Sequence, residues 1–262
     1  MTASIDRSQR WNRLLELLAE SGRLTVEDAA EQLGVSPATV RRDFTALAEQ
    51  QLATRTHGGI VASAVAYDLP VRYRQGDGAK QRIADYAAAL VEPGCVVGIN
   101  GGTTTTAMAR ALAGRSDPTG SGDDQLTIVT NALNIAAELV LRPHLRTICL
   151  GGTARRESYE LYGPLAERSL AELRFDTLIL GVNAISAEGG AQCRHLGEAG
   201  VNSEMVRRAQ EVIVVATADK VGRAALAKIC DIGQVSRLVT DVESDAAAVA
   251  EIRAAGVRVD LV

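Results

Sequence analysis

The sequence predicts an α/β chain in two parts, an N-terminal winged helix-turn-helix followed by a larger, mostly parallel α/β sheet domain. Two observations predict it. Residues 33–60 (LGVSPATVRRDFTALAEQQLATRTHGGI) hold a tight glycine turn, a capped short helix and a basic hairpin-like tail. From Ala79 onward, short apolar runs alternate with helix-like stretches, the pattern of strands joined by crossover helices and covered on both faces. A chain of 262 residues is comfortable for two domains, and with 47% hydrophobic residues it can bury a sizeable core without staples.

Taken in order, Trp11, Leu14, Leu15 and Leu18 recur at i, i+3, i+4 and i+7, one face of an amphipathic helix over residues 9–19 that Ser21-Gly22-Arg23 closes. Thr25 reads as an N-cap hydroxyl with Glu27 and Asp28 in the first turn of a short second helix that ends at Gly34. Ser36 caps a third helix, and Pro37 suits its first position because that amide has no helical partner. Residues 52–54 and 60–61 read as two short strands around a Gly58-Gly59 turn. Helix, helix, turn, helix, hairpin is a winged helix-turn-helix, assigned to residues 1–60. Residues 61–78 mix Pro70, Gly76 and Gly78 with charges and little periodicity, and are expected to be a linker.

Residues 79–262 form the second domain. Strands are expected at 95–99, 126–129, 147–150, 177–182, 212–216, 238–240 and 257–262, and helices at 105–112, 133–141, 165–173, 198–209 and 246–254. Ligands of such sheets bind at the carboxyl ends of strands. Residues 114–125 (GRSDPTGSGDDQ) read as a flexible surface insertion.

Several function classes fall away on composition. A net charge of −4 argues against a general nucleic-acid coat protein, though a sequence-specific reader needs only a local basic face. The polar N-terminus lacks the apolar core of a signal peptide, and no apolar run is long enough to span a membrane, so a soluble, cytoplasmic protein is expected. Cys95, Cys149, Cys193 and Cys230 are scattered singly, which is neither a disulfide framework nor a zinc ribbon. Cys95 and Cys149 lie in apolar runs and are expected to be small buried hydrophobes. Cys193 and His195 have no second ligand pair at metal spacing, so no metal and no cofactor is expected.

On the third helix, Val40, Phe44 and Leu47 share one face, while Ala38, Arg41, Arg42 and Thr45 fall opposite. Arginine reads guanine edges in the major groove, and threonine and alanine contact thymine methyls. Ser36 and Thr39 add hydroxyls at the helix start, and Arg55 and His57 on the hairpin would reach phosphates or the minor groove. An isolated Arg-Arg pair is ordinarily a solvated helix face, but the cap, apolar seam and hairpin together favour double-stranded DNA as partner. Asp43 borders the apolar seam, so it is expected in a salt bridge or cap within the domain rather than on a base. This segment closely resembles the N-terminal domain of the DeoR family of bacterial transcriptional regulators, with its TVRRDL-like helix and HGG wing. Here Phe44 stands where leucine is usual, a tolerable core exchange.

The second domain carries polar loops at strand ends. Residues 100–106 (NGGTTTT) join glycines for close backbone approach to hydroxyls and a helix N-terminus, the components of a phosphate cradle, without a Walker or GxGxxG motif. Asn131 follows another strand, either as an N-cap or as a ligand contact. Gly151 and Gly152 begin a third loop, in which Arg155 or Arg156 offers a cation or is simply exposed. Lys220 sits at a fourth strand end.

Together these match the effector domain of the same family, which is similar in fold to ribose-5-phosphate isomerase and glucosamine-6-phosphate deaminase. The resemblance covers almost the whole chain. It implies that Gly102, Thr103, Thr104, Thr105 and Lys220 hold the phosphate of a phosphorylated sugar effector, with Asn131, Gly152 and Glu198 at the sugar or the pocket wall. It further implies a homo-dimer or tetramer acting on operator DNA, a repressor of a sugar catabolism operon. The family often has an acid where Asn100 stands, Asp-Gly-like residues at Asn183-Ala184, and two serines at Ala218-Asp219. These departures bear on effector identity, and Asp219 either favours an amino-bearing sugar or pairs with Lys220. Residues 193–202 with MVRRAQ resemble the branch that regulates amino-sugar and related hexose use. The alternative is a sugar-phosphate isomerase or deaminase fused to a DNA-binding domain. Such chemistry needs a carboxylate or histidine base, for which Asn183 is unsuited, His195 lacks an evident acid partner, and Asp219 and Glu198 remain. No catalytic residue is assigned.

Overall fold

A computed structural model describes residues 10, 11, 13, 14, 17, 18, 21, 23–49, 53–62, 78–115 and 125–262. Leu15, most of the expected 61–78 linker and most of the 114–125 insertion lie outside them. The chain divides into two compact units, residues 1–71 and 72–262.

In the first unit the described residues from 10 to 21 are helical. They precede β1 (Arg23–Thr25), α1 (Val26–Leu33), α2 (Pro37–Glu49), β2 (Ala53–Thr56) and β3 (Gly59–Ala62). Thr25 accepts from the Asp28 amide, and Gly34 ends α1 at φ 61°, a left-handed conformation that costs glycine nothing. Leu14, Leu18, Ala29, Val40, Phe44, Leu47 and Ile60 build the core. Two expectations need correction. The turn of the wing is His57-Gly58, and Gly59 is the first residue of β3, where a Cβ would lie 2.2 Å from the Leu24 carbonyl oxygen. That close approach exists because Arg23–Thr25, where Arg23 was expected only to close the first helix, is a third strand paired antiparallel with β3; its last residue, Thr25, caps α1 as expected.

The second unit opens with α3 (Gly78–Ala89), then β4 (Val96–Ile99), α4 (Thr103–Ala113), β5 (Leu126–Thr130), α5 (Leu133–Leu139) and β6 (Leu145–Cys149). A hairpin of β7 (Thr153–Ala154) and β8 (Leu161–Tyr162) leads to α6 (Pro164–Leu170) and β9 (Phe175–Gly181). After β10 (Ala184–Ser186) and β11 (Gly190–Cys193) come α7 (Leu196–Arg208), β12 (Ala209–Val215), a 3-10 turn at Ala218–Lys220 and β13 (Ala227–Cys230). The chain ends with β14 (Arg237–Thr240), α8 (Ala246–Ala254) and β15 (Arg258–Leu261).

All seven strands expected from the apolar runs enter one sheet in the order β15-β14-β12-β9-β4-β5-β6, and every pairing is parallel. Side chains from α3, α4 and α5 (Ile83, Met108, Ile135) pack on one face. Those from α6, α7 and α8 (Leu170, Met205, Ile252) pack on the other. The chain builds outward one way from β4 and the other way from β9, so the strand order reverses between these two neighbours. A crevice opens at the carboxyl ends of strands where such a reversal occurs.

The small antiparallel sheet β10-β11-β13 and the β7-β8 hairpin were not expected from the alternation, because each strand is only two to four residues long. Helix α3 escaped notice because its buried face is Ile83 with Ala84, Ala87 and Ala88, too small to stand out as a hydrophobic stripe. The cysteines also differ from expectation. Cys149 is exposed and Cys95 half-buried, whereas Cys193 and Cys230 are buried. Cys149 ends the edge strand β6, and Cys95 lies in the turn before β4, outside the covered part of the sheet. No helix among the described residues is long and apolar enough to cross a membrane.

Candidate DNA-reading face and ligand pocket

On α2, Val40, Phe44 and Leu47 are fully buried and Arg41 and Arg42 exposed, because the helical period sorts them onto opposite sides. Ser36 and Ala38 are exposed and Thr39 half-buried. The Ser36 hydroxyl accepts from the Thr39 amide at 3.2 Å and meets the Thr39 hydroxyl at 2.9 Å, so both cap the helix. Thr45 donates to the Arg41 carbonyl and accepts from Arg55 at 2.8 Å, which ties the wing to the helix. His57 is exposed at the wing tip. The eight residues expected on DNA thus all fall on α2, its cap and the wing. Asp43 faces inward instead, 4% exposed, and accepts from Arg10 Nε at 2.5 Å and Trp11 Nε1 at 3.0 Å.

At the strand-order reversal of the second unit lies a cavity of about 330 Å³. Asn100 pins its base. Its Nδ2 donates to the Gly181 carbonyl at 3.0 Å and its Oδ1 accepts from the Gly181 amide at 2.7 Å, joining the ends of β4 and β9. An aspartate could accept that amide but not donate to the carbonyl, which accounts for an amide at this position.

The loop after β4 runs straight into α4. Gly102 sits at φ 147° as the N-cap with no side-chain cap bond, leaving the first amides of the helix to the pocket. Thr105 and Thr106 turn their hydroxyls back onto the Gly102 carbonyl at 3.1 and 2.7 Å. Thr104 Oγ1 is buried and has no partner among the described residues. Gly102, Thr103, Thr104 and Thr105 all line the cavity.

Lys220 reaches the same cavity from the 3-10 turn after β12. Asp241 fixes that turn by accepting the Ala218 amide at 2.8 Å, and the Gly222 amide bonds the Ile185 carbonyl of β10. Burial pulls the Lys220 pKa below its ordinary value; Asp219 opposes the shift, and Lys80 and Arg194 add to it. A lysine gathered with other cations is stabilised by a bound anion. Asp219 accepts from the Thr217 hydroxyl and lines a neighbouring cleft with Arg223, Glu243 and Asp245, away from the Lys220 cavity.

The remaining wall comes from the β7-β8 hairpin and α7. Glu198 is buried, accepting from Arg155 at 2.8 Å and from the Ser158 hydroxyl. His195 Nδ1 accepts the Glu198 amide and so caps α7. Glu160 is 4% exposed; its Oε2 accepts from Asn131 Nδ2 at 3.1 Å and Asn202 Nδ2 at 3.2 Å. Burial, then the charge of Glu198, pushes the Glu160 pKa up to about 8, against the amide hydrogen bonds and Arg155.

Of the expected ligand residues, Glu198 lines the cavity with the threonine loop and Lys220. Asn131 stands behind the wall and reaches it through Glu160. Gly152 lies outside the lining; at φ 140° its missing Cβ makes room for the Tyr162 backbone, 2.8 Å from where that atom would be. Sequence reasoning passed over Glu160, Asn202, Ser158 and Arg194, which all line the cavity. The spacing of Glu160 and Asn202, on hairpin and helix 42 residues apart, carries no local signal.

Residues 10–64 match the family model of a DeoR-like helix-turn-helix domain, and residues 77–242 that of the DeoR C terminal sensor domain. The HTH-type transcriptional regulator GlpR of Haloferax volcanii is 33% identical over 96% of this chain and 96% of its own length. The glycerol-3-phosphate regulon repressor of Escherichia coli K12 is 31% identical over 90% of this chain and 91% of its own. Among solved structures, ribose 5-phosphate isomerase A from Methanocaldococcus jannaschii aligns over 56% of this chain and 53% of that one, at 16% identity and a TM-score of 0.36.

Proposed function

This chain belongs to the DeoR family of transcriptional regulators, and from that premise we propose that it represses a sugar catabolism operon until a phosphorylated sugar occupies its pocket. It is a regulator rather than an enzyme, like the relatives named above. The observation that carries the effector reading is the cavity at the strand reversal, where a helix N-terminus with no side-chain cap, the buried Thr104 hydroxyl without a partner among the described residues, and Lys220 converge. Exposed amides and a lysine beside other cations suit a phosphate group.

We assign residues 1–60 to DNA reading, 61–78 to a linker, and 79–262 to effector binding and oligomerisation. The protein would work in the cytoplasm as a homo-dimer or tetramer on double-stranded operator DNA, where paired readers match half-sites. Ser36, Ala38, Thr39, Arg41, Arg42, Thr45, Arg55 and His57 are the proposed DNA contacts. Gly102, Thr103, Thr104, Thr105 and Lys220 would hold the phosphate, with Asn131, Gly152 and Glu198 shaping the pocket around the sugar. The ligand releases DNA only so far as it binds the non-operator conformation more tightly. Glu198, already tied to Arg155 and Ser158, is a wall rather than a base.

Two results test this. Arg42→Ala is expected to weaken specific operator binding by about 1–3 kcal/mol and relax preference at one base pair. Titrations against operator variants at several salt concentrations read it, and unchanged binding would remove Arg42 from the reading face. Lys220→Met keeps operator binding but weakens the response to hexose and pentose phosphates by about tenfold or more, the worth of a charge-assisted hydrogen bond. If none of those sugars alters operator affinity or melting temperature of the wild type, the sensor reading fails.

A further inference from the structure

Resting on the effector reading above, we infer that Glu160 and Asn202 form the sugar-reading end of the pocket and take two neighbouring uncharged hydroxyls of the ligand rather than an amino group. Lys220 enters the pocket from the turn after β12, whereas Glu160 comes from the β7-β8 hairpin with Asn202 of α7 beside it. Glu160 stands against Gly101, just before the threonine loop, so a ligand whose phosphate lies at Lys220 and that loop has its remaining part within reach of Glu160 and Asn202.

Both residues line the cavity and both are almost wholly buried, Asn202 at 1% exposure. The Glu160 Oε2 atom is taken by the two asparagine amides, which leaves Oε1 on the side of Gly101, where even a Cβ on that glycine would come within 2.9 Å. Having donated its amide to Glu160, Asn202 keeps Oδ1 buried with no partner among the described residues, and the same holds for Asn131 behind the wall. A buried amide oxygen without a donor is costly to leave so. One ligand hydroxyl can donate to Asn202 Oδ1 while its neighbour accepts the carboxylic proton of Glu160, so both of these groups gain a partner.

An ammonium fits less well. It offers three donors and no acceptor, so the Glu160 proton would have to leave, and the ammonium and the new carboxylate would both be buried as charges, at a desolvation cost that their attraction repays only in part. Arg155 is the cation beside Glu160 and Glu198, and it already bridges Glu198 at 2.8 Å and Glu157 at 3.1 Å. Cys193, the other titratable group facing this cluster, is itself held up to about 11 by burial and adds no charge at neutral pH. Hydroxyls need no charge to be moved into the site.

Calorimetry on the full chain tests the inference with glucose 6-phosphate, fructose 6-phosphate, ribose 5-phosphate and glucosamine 6-phosphate as probes. Inorganic phosphate serves as the control for Lys220. The tightest probe is expected to lack an amine, and its affinity relative to inorganic phosphate should fall about tenfold as pH rises from neutrality past the Glu160 pKa near 8. Glu160→Gln, which cannot ionise, should lose that pH dependence, and Asn202→Leu should weaken the sugar phosphate but not inorganic phosphate. Tightest binding of glucosamine 6-phosphate, or a wild-type pH profile that follows inorganic phosphate, overturns the inference while leaving the sensor reading intact. No binding of any sugar probe would overturn both. The wild-type profile needs no variant, so a Glu160→Gln protein that misfolds does not spare the inference.

Discussion

Asp43→Ala is expected to remove about 3–5 kcal/mol from the first unit, because it deletes one partner of a buried ion pair. The Asp43 carboxyl side chain is 6% exposed and that of Arg10 13%, and the same carboxylate receives the Trp11 indole. Asp43 lies on the buried side of α2, and its partners come from the first helix, so the carboxylate clamps the helix that carries Arg41 and Arg42 in place. A unit of this size has only roughly 3–5 kcal/mol to lose. Operator binding should therefore be lost with the fold of the unit, without any direct contact between Asp43 and DNA. Trp11 is the single tryptophan of the chain, so urea unfolding followed by its fluorescence reports the first unit alone, and coincident midpoints for wild type and variant would refute the clamp.

The second large effect is a stability that falls with pH. Glu160 is an acid whose folded-state pKa is raised, from about 4.5 to about 8. Below the lower value both folded and unfolded chains carry the proton and the group contributes nothing. Between the two values only the folded form holds the proton, so stability declines as pH rises, and above the upper value the full cost of a buried carboxylate is present. The shift corresponds to a loss on the order of 5 kcal/mol across that window. Glu160→Gln removes this contribution, so the wild type should lose stability relative to the variant as pH is raised from about 4.5 through 8. Denaturant unfolding of both proteins at several pH values, followed by far-UV circular dichroism, measures the difference, and parallel curves would show that Glu160 is not held protonated.

Asp43 and Glu160 mark how far the sequence could be read. Asp43 stands within a helix whose period is visible, so its inward angle between Val40 and Phe44 already pointed to a tie inside the domain. Its partners were not visible, because Arg10 and Trp11 lie more than thirty residues away and meet it only through packing. Glu160 gave no signal at all. It sits just before the two-residue strand β8, beside Tyr159 at φ 61°, and only the return of the hairpin places it against Gly101, Asn131 and Asn202. Asp219 shows how little adjacency fixes. Next to Lys220 in sequence, it accepts from Thr217 and lines a different cleft, while its charge still acts on Lys220.

By itself the sequence determined what local chemistry dictates. The helical period of α2, the cap at Ser36, the left-handed turn at Gly34, the seven apolar strands and the glycine-threonine loop all follow from interactions within a few residues. Tertiary structure alone decided the order of those strands, the third strand of the wing, and the gathering of the β7-β8 hairpin, α7 and the Lys220 turn around one cavity. The physical reason is that a strand's apolar pattern says it must be covered but not which neighbour it pairs with. The crevice exists because β4 and β9, 80 residues apart at paired positions such as Gly98-Leu178, came to lie side by side.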